Sequence, residues 1–142
     1  MLEAAKVVDD KKLISQTKEV CLRIVKAASE GLQTDGSIIY EKNNSNGHVD
    51  KDRHWWPQAE TVIGYVNAFE LTNDEAYLSI ATKSWKFIKE TLVDKEHGEW
   101  FWSISDDGHI NRKDDKAGFW KCPYHNARMC LEVIHRNEVS KS

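Results

Sequence analysis

The spacing of apolar residues allows this chain helices and little else of any length. Leu13, Val20, Cys21, Ile24, Val25 and Ala28 recur at a helical period. Ala59, Val62, Ile63, Val66 and Phe69 do the same, then Tyr77, Leu78, Ala81, Trp85, Ile88 and Leu92, and last Met129, Leu131, Val133 and Ile134. The stops and starts agree with this reading. Asp9-Asp10 offers an N-cap ahead of the first stripe, and Gly31 can end it. Trp56-Pro57 opens the next helix, with proline at an early position where its missing N–H does no harm. Thr72-Asn73-Asp74-Glu75 is a stop followed by a fresh cap, and Cys122-Pro123 opens a last helix that runs to about Asn137. Residues 2–8 read as the tail of a further helix.

The connections alternate in length. A short turn at residues 72–75 joins two helices, whereas residues 32–55 and 93–121 are long and rich in aromatic and turn residues. Residues 37–41 look like a short strand, with a hairpin turn at Asn43-Asn44-Ser45-Asn46-Gly47. Residues 99–104 alternate like a strand, Asp106-Asp107-Gly108-His109 is a second hairpin turn, and residues 111–116 form a charged, solvated loop. The long loops therefore gather at one end of the helices. The fold predicted is all-α: antiparallel helix hairpins with short β-hairpin loops on one rim, closer to a toroid of helix pairs than to a compact bundle. Long ordered loops of this kind carry function.

Composition narrows the remaining choices. A chain of 142 residues has room for one domain with a real core. A net charge of −3 gives no footprint for nucleic acid. No stretch approaches the ~20 apolar residues of a membrane span, and the opening residues lack the regions of a signal peptide. Cys21, Cys122 and Cys130 are odd in number and widely spaced, which points to a reducing compartment and a cytoplasmic protein.

Six tryptophans are the unusual count. They cluster in Arg53-His54-Trp55-Trp56-Pro57-Gln58-Ala59-Glu60, in Gly98-Glu99-Trp100-Phe101-Trp102, and in Gly118-Phe119-Trp120-Lys121-Cys122-Pro123-Tyr124-His125-Asn126. Indole faces beside proton-handling groups suit a sugar, which presents apolar C–H faces and polar edges. Trp85, Trp100 and Trp102 are equally well explained as plugs between helices. His125 falls in the first turn of a helix, where the macrodipole disfavours imidazolium and a neutral ring can act as a general base. A histidine that merely bonds a loop carbonyl fits the same position. Glu60 lies one helical turn after Trp56 and can share its face, either to orient a partner or to satisfy the preceding loop. Cys122, His125, Cys130 and His135 loosely suggest a zinc knuckle. Steps of five residues turn ~500° along a helix, however, so they cannot converge on one ion, and no metal site is expected.

Taken together, these three segments resemble the N-acylglucosamine 2-epimerase superfamily and, within it, the cellobiose or mannobiose 2-epimerases. The Cys-Pro-Tyr-His-Asn run favours the disaccharide enzymes over those acting on amino sugars. The resemblance implies an (α/α)6 toroid with its site in the central cleft. It implies inversion of C2 of a reducing-end sugar through an enediolate, with histidines as the two bases and no cofactor. His125 would be one base. Trp56 and Trp120 would flank the sugar, Glu60 would position a hydroxyl or the reducing end, and Trp55 and Arg128 are further substrate-binding candidates.

The family's members are about three times this length, and the resemblance covers their carboxy-terminal third. Residues 1–142 are thus expected to be a single partial domain that lacks the other base and is inactive alone. Bare inter-helix surfaces, each worth about 25 cal/mol per Å2 if covered, predict self-association or marginal stability. Other readings are a carbohydrate-binding or interaction module without catalysis, an N-acylglucosamine 2-epimerase, and a glycoside hydrolase-like enzyme, which needs a pair of carboxylates.

Overall fold

A computed structural model describes residues 1–139. Five α-helices carry the fold: α1 (Leu2–Val8), α2 (Lys11–Ala28), α3 (Trp55–Thr72), α4 (Glu75–Phe87) and α5 (Tyr124–Val139). A π-helical turn, Ile88–Leu92, continues α4, and a 3-10 turn, Ser29–Gly31, ends α2. The two tight helix connections use one device. Asp9 (φ 56°) and Asn73 (φ 57°) adopt the left-handed conformation that short polar side chains tolerate. The next residue, Asp10 or Asp74, then caps the following helix: Asp10 accepts from the N–H groups of Lys12 and Leu13, and Asp74 from that of Ala76.

Helix α3 is the centre of the packing, which is why its apolar residues occupy more than one stripe. On one side Ala59, Val62 and Ile63 meet Phe87, Ile88, Leu92 and Met129, together with Trp55, Trp100 and Ile104. On the other, Tyr65 and Ala68 meet Ala81 of α4 and Val25 of α2. Trp100 is buried and Trp85 and Trp102 pack at its margin, so these three are core residues. No helix among the described residues is long and apolar enough to cross a membrane.

The strand content is smaller than the alternation suggested. Both expected hairpin turns form: the Asn-rich one joins β1 (Glu41–Lys42) to β2 (Val49–Asp50), and the one at residues 106–109 is closed by a single antiparallel bridge, Ile104↔Ile110. The other sheet is a clasp between the two long loops: β3 (Arg53–His54) pairs antiparallel with β4 (Ser103–Ile104). Residues 37–40 and 99–102 contribute only the single bridges Leu32↔Ile38 and Val93↔Trp100. At Ile38 a side chain takes the place of a strand partner. Gln58, fully buried in α3, accepts from the Ile38 N–H at 2.9 Å and donates to the Ile38 carbonyl at 2.8 Å. Helix α3 starts at Trp55, one residue early, because the Trp55 N–H is taken by the Trp102 carbonyl at 3.0 Å. The clasp thereby fixes both long loops at the end where α3 and α5 begin.

Gly36 shows how tightly the first loop lies on α4. Its carbonyl accepts from Ser84 Oγ at 2.7 Å, its φ is +90°, and a Cβ there would stand 2.6 Å from the Lys83 backbone. Gly36→Ala is expected to destabilise the fold by about 3 kcal/mol, seen as a lower urea midpoint at unchanged slope. A midpoint equal to the parent's would show that the loop yields instead.

Candidate functional site

The first turns of α3 and α5 lie side by side at the loop end. His125 is the second residue of α5, and Glu60 and Arg128 face it from α3 and from one turn along α5. His125 Nδ1 is 2.8 Å from Glu60 Oε1. Arg128 Nη2 donates to both oxygens of the same carboxylate, at 2.6 and 2.5 Å. Burial pushes the Glu60 carboxyl upward, but the bonds from Arg128 and then His125 outweigh it and hold the group below its ordinary range. Glu60 is therefore a carboxylate, which only accepts. Nδ1 must donate to it, and this leaves the lone pair of the His125 ring on Nε2.

Aromatic rings surround this imidazole. The Tyr124 ring lies 5.0 Å from it, Trp56 5.8 Å and Trp55 6.5 Å between centroids. Tyr40 extends the row: it stacks on His54 at 4.1 Å and meets Trp56 edge-on at 6.2 Å. Burial lowers the His54 pKa, opposed by the charges of Asp50, Asp52 and Asp114. The site is open on one side, with side-chain exposures of 33% for His125, 36% for Glu60 and 31% for Arg128.

The structure thus brings Trp56, Glu60 and Arg128 together around His125, and sets the other two candidates apart from them in opposite ways. Trp55 is buried at 5% exposure, packed on Trp102 at 4.8 Å beneath the Lys121 ammonium. It forms the wall behind the histidine. Trp120 stands on the loop, 81% exposed, with its ring edge-on to Phe119. Its place in the sequence, five residues ahead of His125, is what keeps it a candidate.

Three residues escaped the sequence reading of the site. The Lys121 side chain is wholly buried, and its ammonium donates to Glu99 Oε1 (2.9 Å), the Trp100 carbonyl (2.9 Å) and the Lys116 carbonyl (2.7 Å). Glu99 also accepts from Asn126 Nδ2 at 2.8 Å, tying the loop to the residue beside His125. A single lysine in a loop reads as a solvated charge, and only the fold reveals its partners. Lys116, expected in a solvated loop, is likewise engaged, with Asp94 at 2.6 Å. Among the described residues no group of three or more His, Cys, Asp or Glu is placed to hold a metal ion.

Helix hairpins that present a histidine–carboxylate–guanidinium set among aromatic rings define a class of helical scaffold built around a loop-side site. The N-acylglucosamine 2-epimerase (GlcNAc 2-epimerase) pattern matches residues 1–128, and the chain belongs to that family. A cellobiose 2-epimerase of Bacteroides fragilis is 56% identical over 132 residues, covering 93% of this chain and 34% of the relative. One from Dictyoglomus turgidum is 42% identical over 135 residues, with 94% and 34% covered. Among solved structures, a sugar epimerase from a ruminal bacterium superposes with TM-score 0.88 at 38% identity, over 96% of this chain and 35% of that one. The chain spans about a third of the length of the relatives it matches. Its fold is accordingly a portion of the helical toroid to which those epimerases belong.

Proposed function

We propose that this chain supplies one proton-transfer face of a sugar 2-epimerase acting on a cellobiose- or mannobiose-type disaccharide. The observation that carries the reading is the His125–Glu60–Arg128 set, in which Nδ1 of a part-exposed imidazole is taken by Glu60 and Nε2 is left for a substrate. With the sugar ring opened to its aldehyde, Nε2 takes the C2 proton and the electron pair forms an enediolate. Return of a proton to the opposite face inverts C2, turning a reducing-end glucose into mannose with no net redox change. Trp56 and Trp120 flank the sugar, Trp55 backs the imidazole, and Glu60 acts through His125 by setting its tautomer.

Return to the opposite face calls for a second group. The His-x-x-Glu spacing that the family resemblance assigns to the other base occurs here only at His135–Glu138. That pair sits ten residues along α5 from His125, about 15 Å of helix rise, so it does not share the site. Residues 1–142 therefore act as a single partial domain. Exposed apolar side chains such as Val7, Val8, Leu131 and Ile134 mark the faces on which other helices, or a second copy, would pack.

The 142-residue chain is expected to bind cellobiose weakly and to form no mannose-ended product, followed by NMR of the anomeric protons. Robust turnover by the chain alone would overturn the one-base reading. Joining it to the first two-thirds of the Bacteroides fragilis relative tests the function itself. Epimerisation by the chimera supports the proposal, and ligand-induced quenching of tryptophan fluorescence without product favours a carbohydrate-binding module.

A further inference from the structure

Glu60 meets two cationic or proton-bearing partners from α5 at once. Arg128 Nη2 straddles its two oxygens, while His125 Nδ1 shares Oε1. A carboxylate alone at 2.8 Å from an imidazole stabilises the imidazolium. That form has no lone pair and cannot take a proton. A guanidinium on the same carboxylate offsets its charge yet leaves it able to accept from Nδ1–H.

From this geometry we infer that Arg128 is a positioning residue: it holds and charge-balances Glu60, so that Glu60 fixes the His125 tautomer without keeping the ring doubly protonated. The inference deepens the epimerase reading, and it gives Arg128 a positioning role beside its candidacy as a sugar contact. Two further groups flank the guanidinium. Its Nη1 faces Glu132 at 3.7 Å, and the Tyr124 ring lies 5.7 Å from its Cζ. At 3.7 Å, Glu132 is a far looser partner of Arg128 than Glu60 at 2.6 and 2.5 Å, so it does not cancel Arg128 at Glu60. The groups that bear on the imidazole are then Glu60 from α3, Arg128 and Tyr124 from α5, and the neutral rings of Trp55 and Trp56.

The test reads the ring directly, with no sugar present. In the 142-residue chain labelled with 15N-histidine, the neutral His125 ring is expected to carry its proton on Nδ1, toward Glu60. In Arg128→Met the ratio of doubly protonated to neutral ring should rise about three- to tenfold. Arg128→Lys, which keeps the charge, should restore most of the parent signal. Arg136→Met breaks ion pairs with Glu70 and Glu132 further along α5 and should leave the His125 nitrogens unchanged.

A general loss of packing would lower stability in both methionine variants without altering the ring in the folded fraction. Should Arg128→Met not fold, Arg128→Gln removes the same charge and is read the same way. Unchanged His125 nitrogens in the folded Arg128 variant, or an equal change in Arg136→Met, would overturn the inference. Because no substrate enters, that failure leaves the epimerase reading standing, and an inactive chimera leaves the ring measurement intact.

Discussion

His125→Ala, introduced into the chimera with the Bacteroides fragilis relative, is expected to lower kcat for cellobiose epimerisation by ~10²–10⁴-fold or more. The size follows from what the substitution removes. The imidazole is the part-exposed group with a nitrogen not taken by Glu60, and nothing adjacent replaces it: both Glu60 oxygens stay bonded by Arg128 Nη2, and Trp55 stays buried. Stability should change little, since His125 is a partly exposed residue in the first turn of α5 and Glu60 keeps its guanidinium partner. The KM should move less than kcat, because a group that acts in the transition state contributes little to ground-state binding. Activity within tenfold of the parent chimera, at equal folding, would exclude His125 as a base.

How much of this was legible beforehand depends on how far apart the interacting residues lie. Helix identity and the Asp9-Asp10 and Asn73-Asp74 junctions could be read, because cap chemistry is settled within four residues. That Glu60 shares a face with Trp56 could be read for the same reason. Neighbouring Trp55 and Trp56 could not be told apart: one is 5% exposed and the other 36%. Which of them turns inward is decided by the start of α3, and that start is set by a bond to Trp102, far along the chain. The β3–β4 clasp, the grip of Gln58 on Ile38 and the meeting of Glu60 with His125 are also long-range. Each joins residues whose local patterns give no sign of the other. The expected strands were too long for a related reason, since alternation marks which side a residue faces but not whether a backbone partner is available.

The hidden ion pair gives the largest stability effect expected of this chain. Glu99→Ala should cost about 3–5 kcal/mol, the range for stranding a buried charge by removing its partner. All three ammonium donors of Lys121 are used, and its side chain has no exposed surface. The backbone cost is not part of this loss, since Glu99 already holds φ at 61° and alanine is no worse there. Removing both charges with Glu99→Leu and Lys121→Met should cost less than Glu99→Ala alone, because no unpaired ion remains.

Acid provides an independent reading of the same pair. Burial raises the Glu99 carboxyl, but Lys121, the Trp100 N–H and Asn126 together hold it below its ordinary value of 4.5. A carboxylate depressed on folding contributes stability that is fully present above the unfolded value and is lost as pH falls through the folded one. Denaturation midpoints of the parent should therefore decline below about pH 4.5 more steeply than those of Glu99→Ala. The consequence reaches the site through Asn126, which Glu99 holds beside His125. A Glu99→Ala chain as stable as its parent at pH 7 would mean that Lys121 finds water or another anion, and that the loop behind Trp55 opens at little cost.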